Sequence, residues 1–150
     1  MADNDWPDLA GHLSDGVHRL PVRIYYEDTD FSGAVYHASY VRILERGRTD
    51  FLRVVGIGHR ELAAAGLNFA LHRLDVTFHR PAAIDDVVIV ETTPGEVTAA
   101  RALVGQRILH GETVLVEAAV TVVLVSPDGR ARRFPPAIRD TLLARRKPVG

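Results

Sequence analysis

The chain has 150 residues, 47% of them hydrophobic and 25% charged, which is the range of an ordinary domain built on one core. A net charge of −1 supplies no basic field for nucleic acid, and the lack of cysteine closes disulfides, thiolate metal sites and cysteine nucleophiles. No segment approaches the roughly 20 apolar residues of a membrane span, and the acidic start MADNDWPDLAGHLSDG lacks the basic and apolar regions of a signal peptide, so a cytoplasmic protein is expected.

Residues 1–18 show no periodicity and read as a loose N-terminal arm, leaving 19–150 as a single domain. From Leu20, LPVRIYYE alternates Val22, Ile24 and Tyr26 against Arg23, Tyr25 and Glu27, the period of a half-buried strand. A turn-like DTDFSG follows. From Val35 to Val55 the apolar positions Tyr40, Val41, Leu44, Phe51, Leu52 and Val55 recur at intervals of three and four, which predicts a long helix stopped by Gly56. Gly47, inside that helix, points to close packing against another backbone. Residues 57–66 predict a short second helical turn ending at Gly66.

The remainder reads as strands, FALHRLDVTFHR, DVVIVETT, EVTAARALVGQRIL and ETVLVEAAVTVVLV, joined at TPGE and HGE and followed by SPDGR. Such short Gly, Pro and Asp joints close hairpins, so the sheet is expected to be antiparallel. The tail PPAIRDTLLARRK opens with prolines suited to a helix start and ends basic. The whole is an α+β domain in which one sheet must bury one helix.

The run YEDTDFSGAVYHASY crowds Glu27, Asp28 and Asp30 against the start of the long helix. A carboxylate there lies beside unpaired backbone N–H groups and the positive end of the helix dipole. Capping is the commonest use of Asp at such a place. The same amides are also able to face a substrate oxygen, and Gly33 lets the backbone approach a ligand with no side chain in the way. The histidines at 12, 18, 59, 72, 79 and 110 have no metal-ligand spacing; His72 and His79, seven apart in an extended segment, are expected on opposite faces.

The segment YEDTDFSGAVYHASYVRILERGRTDFLR resembles the hot-dog-fold thioesterases of the 4-hydroxybenzoyl-CoA thioesterase-like group, and within it the acyl-CoA thioesterases associated with the Tol-Pal system. The resemblance is carried by Tyr25 or Tyr26, Asp28, Thr29, Asp30, Gly33, Val35, Tyr36, His37, Tyr40, Glu45 and Arg48. It implies five antiparallel strands wrapped around the central helix, and a homodimer or homotetramer with active sites between subunits. It further implies hydrolysis of an acyl-CoA with neither metal nor cofactor. Asp30 matches the family's catalytic aspartate, as nucleophile or as the base for water, while Asp28 stays structural. The amides near Tyr36 and His37 would form the oxyanion site.

His37 is a candidate to orient substrate or protonate the leaving thiolate, and Glu45 to support the site or place water, its alternative being a surface pair with Arg48 or Thr49. Arg132 and Arg133, with Arg101, are the candidates for the CoA phosphates, and Phe31, Phe69 and Phe78 for lining or core. Two rival readings use the same fold: a hydratase of acyl thioesters, and a non-catalytic module that binds acyl-CoA or an acyl-carrier protein.

Overall fold

The structure, a computed structural model, describes residues 5–146. In chain order the elements are β1 (His12–Ser14), β2 (Val17–Arg23), a 3-10 turn (Tyr26–Asp28), α1 (His37–Val54), α2 (His59–Ala64), β3 (Asn68–Phe78), β4 (Val87–Val97), β5 (Ala102–His110), β6 (Thr113–Val125), β7 (Ala131–Arg132) and α3 (Pro136–Ala144). The described strands form one sheet in the order β1-β2-β4-β5-β6-β3, with β7 beside β6, and every pairing is antiparallel. Five long strands carry it, as expected for a hot-dog fold, and β1 and β7 add short edges.

α1 forms because one stripe of it is apolar and the sheet curls around that stripe. Tyr40, Ile43, Leu44, Phe51 and Leu52 are buried, facing inward residues such as Val88, Val90 and Ile108 of β4 and β5. Gly56, with a φ of 83°, ends the helix in the left-handed conformation that glycine adopts without strain. At Gly47 packing is close, but side chains and not another backbone approach: a Cβ there would lie 2.5 Å from Val90 Cγ1 and 3.1 Å from Thr92 Oγ1. The missing side chain admits Gln106, whose amide nitrogen donates to the Leu44 carbonyl at 2.9 Å and to Thr92 Oγ1 at 3.0 Å. Arg48 then donates to Gln106 Oε1 at 3.0 Å.

The arm expected to be loose over 1–18 is ordered from β1 onward, because Asp15 and Gly16, both at positive φ, make a two-residue hairpin turn from Ser14 to Val17. It also places His18 fully inside, its ring against Phe51 and its Nε2 2.6 Å from the Ala10 carbonyl. Nε2 must therefore donate, and Nδ1 is left buried without a partner. Burial pushes the His18 pKa down, which the Ala10 bond and Asp50 partly oppose. Tyr26 and Glu27, expected in the first strand, lie in the 3-10 turn beyond it, and Tyr26 is exposed.

Two strand readings are corrected. TPGE is not a hairpin joint: β4 runs through Pro94 and Gly95 to Val97 with a register shift, and the turn falls at Thr98–Arg101, where the Thr98 hydroxyl accepts from the Ala100 and Arg101 amides. A proline survives inside the strand because it sits at the irregularity. In β3 the register shifts between Leu71 and Arg73, inserting His72 as a bulge. The bulge breaks the alternation on which an expectation of opposite faces for His72 and His79 rests, and His79 lies just beyond the end of β3 at Phe78. Among the described residues no helix is long and apolar enough to cross a membrane.

Gly47→Ala is expected to lower stability. The gain in helix propensity, about 1 kcal/mol, is outweighed by overpacking against Val90, which costs about 1–3 kcal/mol. Thermal unfolding should show a fall of a few degrees, at about 2–4 °C per kcal/mol; an unchanged or raised midpoint would mean that the sheet does not press on α1 there.

Candidate active site

The site segment hangs between the end of β2 and the start of α1. Ile24 is fully buried and exchanges backbone hydrogen bonds with the 85–86 turn. The chain then folds into the 3-10 turn. Asp28 closes that turn by accepting from the Tyr25 amide at 2.9 Å, and its carbonyl accepts from the Tyr36 amide at 2.9 Å. Asp28 is therefore held as a structural residue.

Residues 29–35 fold back as a narrow loop. Thr29 bridges Val35, and the Asp30 amide donates to the Ala34 carbonyl at 2.9 Å. Gly33 takes a φ of 84°, and a Cβ there would meet nothing within 4 Å. Glycine adopts this left-handed turn without strain, and the space beside its α-carbon is open. The loop is pinned from beneath: Ala34 bridges Ala83, the Val35 amide donates to the Ala82 carbonyl, and the Ala82 amide donates to the buried Tyr40 hydroxyl at 2.8 Å. Tyr40 belongs to the first turns of α1, so helix start and loop move as one body.

Asp30 projects from this loop. Its Oδ1 accepts from the Ser32 hydroxyl at 2.5 Å and the Ser32 amide at 2.8 Å. These bonds, the hydroxyl first, hold the Asp30 carboxyl below the usual carboxylate range. The residue is exposed and presents an ionised group at the surface of the loop. At the helix start one expected donor is lost: the Tyr36 amide already serves Asp28. That leaves His37, first residue of α1, where the opening amides of a helix lack partners within it. The His37 ring lies against Tyr36 with centroids 4.3 Å apart. Tyr25, Tyr26, Phe31 and Tyr36 surround the loop, all exposed, Phe31 completely.

Glu45 sits eight residues beyond His37, about 12 Å along the helix. Its Oε1 accepts from Thr49 Oγ1 at 2.9 Å, and His59 Nε2 approaches the same hydroxyl at 3.4 Å. With the Thr49 proton directed to Glu45, His59 is the donor to Thr49. These three side chains and Arg48 edge a cavity of about 200 Å³ under the C-terminal half of α1. Its wall is otherwise apolar, including Phe51, Phe69, Val97 and Leu142. Asp30 and His37 do not line it. Within one chain, therefore, Glu45 and the pair Asp30–His37 belong to separate places.

The basic candidates are also remote from Asp30. Arg132 pairs with Leu124 on β6, whereas Phe78, whose ring packs on Tyr40 beside the site loop, pairs with Val116. Eight residues of extended strand separate these registers, about 26 Å. Arg133 follows Arg132, and Arg101 lies in the 98–101 turn; all three are exposed. His59 was passed over in the sequence because it has no metal spacing; its signal is the GH start of α2 facing the Glu45–Thr49 edge.

The Thioesterase-like superfamily matches residues 24–142, and the chain belongs to it. The acyl-CoA thioester hydrolase YbgC of Escherichia coli is 41% identical over 112 residues, covering 74% of this chain and 84% of that protein. The acyl-CoA thioesterase YbgC of Haemophilus influenzae is 38% identical over 114 residues, covering 75% and 84%. Among solved structures, a probable thioesterase from Bartonella henselae is 41% identical with a TM-score of 0.76, covering 79% of this chain and 99% of that one. A protein from Thermus thermophilus is 29% identical with a TM-score of 0.80, covering 85% and 96%. The chain is thus a hot-dog thioesterase by sequence family and fold, as the motif between Tyr25 and Arg48 implied.

Ser32→Ala removes the stronger of the bonds that favour the Asp30 anion. The Asp30 carboxyl titration, followed by NMR, should lie below the usual carboxylate range in the wild type and move upward in the variant. The direction follows because a bond to the charged form lowers a carboxyl pKa and its loss raises it. An unmoved titration would show that Ser32 does not govern the charge.

Proposed function

We propose that the protein hydrolyses an acyl-CoA thioester to the free acid and CoA, with Asp30 at the centre of the reaction. The observation that carries this is a carboxylate kept ionised by Ser32 on a loop locked to the start of α1, beside the His37 amide. The thioester carbonyl oxygen is placed over that amide, where the helix start stabilises negative charge as it develops. Asp30 either attacks the carbonyl carbon, giving an anhydride that water opens, or takes a proton from water as the water oxygen bonds to that carbon. In both routes the C–S bond breaks, and His37 is positioned to protonate the departing thiolate. Hydroxylamine separates them: it traps the Asp30 anhydride of the nucleophilic route as a hydroxamate, whereas the general-base route forms no acyl-enzyme to trap.

The site is completed by a second copy of the chain. β3 is an open sheet edge 11 residues long, with Leu71 and Phe78 exposed along it. Such an edge is a pairing surface unless it is covered, and the exposed aromatic ring around Asp30 needs a cover of the same kind. The homologous YbgC proteins, named as acyl-CoA hydrolases, support the substrate class. The cytoplasm is the proposed compartment.

Asp30→Asn is expected to reduce kcat/KM for acyl-CoA by about 10²–10⁴-fold, the range for loss of a positioned acid–base group, with thermal unfolding unchanged. Thiol release measured across a panel of acyl-CoAs tests this. A variant as active as the wild type would remove Asp30 from the chemistry; a wild type that releases no thiol from any of them would end the hydrolase reading.

A further inference from the structure

The N-terminal hairpin has no part in the chemistry assigned to Asp30, and it lies ahead of residues 24–142, the segment that places the chain in its family. It is nevertheless fitted closely to the domain. Leu13 of β1 packs against the apolar cluster that holds Phe51 and Leu52, in the C-terminal half of α1. Gly11 takes a φ of 74°, and any Cβ on it would overlap the Arg19 carbonyl oxygen. At the centre of the fit is His18, the one buried histidine among the described residues, its ring centroid 6.1 Å from that of Phe51.

The two ring nitrogens decide which protonation state fits. Nε2 lies 2.6 Å from the Ala10 carbonyl and has to donate, so in the neutral ring Nδ1 carries the lone pair, buried and without a partner. A proton added at Nδ1 brings a charge and a second N–H into the same dry place, with nothing there to receive it. The groups around the ring do not relieve this. Asp50 of α1 favours a charge, but its carboxylate is engaged by Arg53. His12 of β1 opposes one, and its own carboxylate partner is Asp8, 3.2 Å away at the surface. Thr92 of β4, directly across from His18, is uncharged, and Arg19 is turned onto Glu91. Burial thus pushes the His18 pKa down against the Ala10 bond and Asp50, with His12 adding to the fall.

We propose that His18 is a pH-sensitive latch: neutral, it holds the N-terminal hairpin against Phe51; protonated, it lets residues 6–18 come away while α1 and the rest of the sheet stay folded. In the released arm the histidine is solvated and takes up a proton that the docked ring resists. The hold is therefore complete above about pH 6.5, the ordinary histidine value. Below it the ratio of docked to released arm falls about tenfold per pH unit, until the docked ring itself charges. Release removes Leu13 from the Phe51 cluster. It also strips β1 from the end of the sheet and leaves β2 as an open edge, a surface that pairs with other strands unless it is covered.

Hydrogen exchange on the full chain, followed from about pH 8 to about pH 5 and expressed as protection factors corrected for the intrinsic pH dependence of exchange, tests the latch. Protection of the β1 amides should fall about tenfold per pH unit below about pH 6.5, while that of α1 and β4 holds. A wild type with no such fall, or one in which α1 and β4 lose protection together with β1, overturns the proposal. His18→Gln keeps a donor for the Ala10 carbonyl and takes no proton, and His18→Phe fills the space without titrating. In whichever of them keeps β1 protected at the upper pH the profile should be flat; a slope like the wild type's overturns the proposal. His12→Ala removes the arm's other histidine and should keep the wild-type slope, a result that supports His18 even where both of its variants release the arm. Loss of the slope in His12→Ala would move the effect to the surface pair with Asp8 and overturn the assignment.

Discussion

The grip of the sheet on α1 is the constraint from which the rest of the molecule follows. At Gly47 the helix has no side chain, and into that gap Gln106 reaches from β5 to bond the Leu44 carbonyl while Thr92 stands beside it. A buried amide satisfied in this way ties the helix to the sheet at one rotation and one height, because any slip would leave its donors unpaired in a dry interior. Arg48 extends the network outward to the cavity edge. The position of the helix start, and hence of the His37 amide, is inherited from this contact in the middle of the helix.

The second consequence is a division of labour between two neighbouring acids. Asp28 spends both its side chain and its carbonyl on the turn and on Tyr36. Asp30, two residues on, is exposed, and its Oδ1 accepts from the Ser32 hydroxyl and amide. Tyr40 carries the rigidity of the helix into the loop, since its hydroxyl holds the Ala82 amide against which residues 34 and 35 are paired. The loop that carries Asp30 and the start of α1 share this anchor, as the proposed reaction requires of an attacking group and an oxyanion donor.

How much of this was legible in the chain depends on whether the cue was local. The apolar spacing from Tyr40 to Leu52 displays α1, and Gly47 within it already pointed to tight packing. The motif between Tyr25 and Arg48 indicates the family, because residues crowded at one helix start are also crowded in sequence. The Asp15–Gly16 pair, a strong hairpin cue, was overlooked, and with it the burial of His18. In β3 the change of parity from Phe69 and Leu71 to Leu74, Val76 and Phe78 is written in the sequence and marks the bulge at His72. Two things had no local cue. The Tyr36 amide is taken by Asp28 eight positions earlier, and the cavity is assembled from residues of seven strands and helices far apart in the chain.

The described chain thus presents an exposed carboxylate beside a helix start, with the cavity under α1 placed elsewhere. The most direct measurement is a crystal structure of the protein with a non-hydrolysable acyl-CoA analogue in which a methylene ketone replaces the thioester. The account predicts a carbonyl oxygen about 2.7–3.1 Å from the His37 nitrogen, with Asp30 Oδ2 on the side of the carbonyl carbon. An analogue bound with its carbonyl away from the start of α1, leaving Asp30 in open solvent, would contradict it.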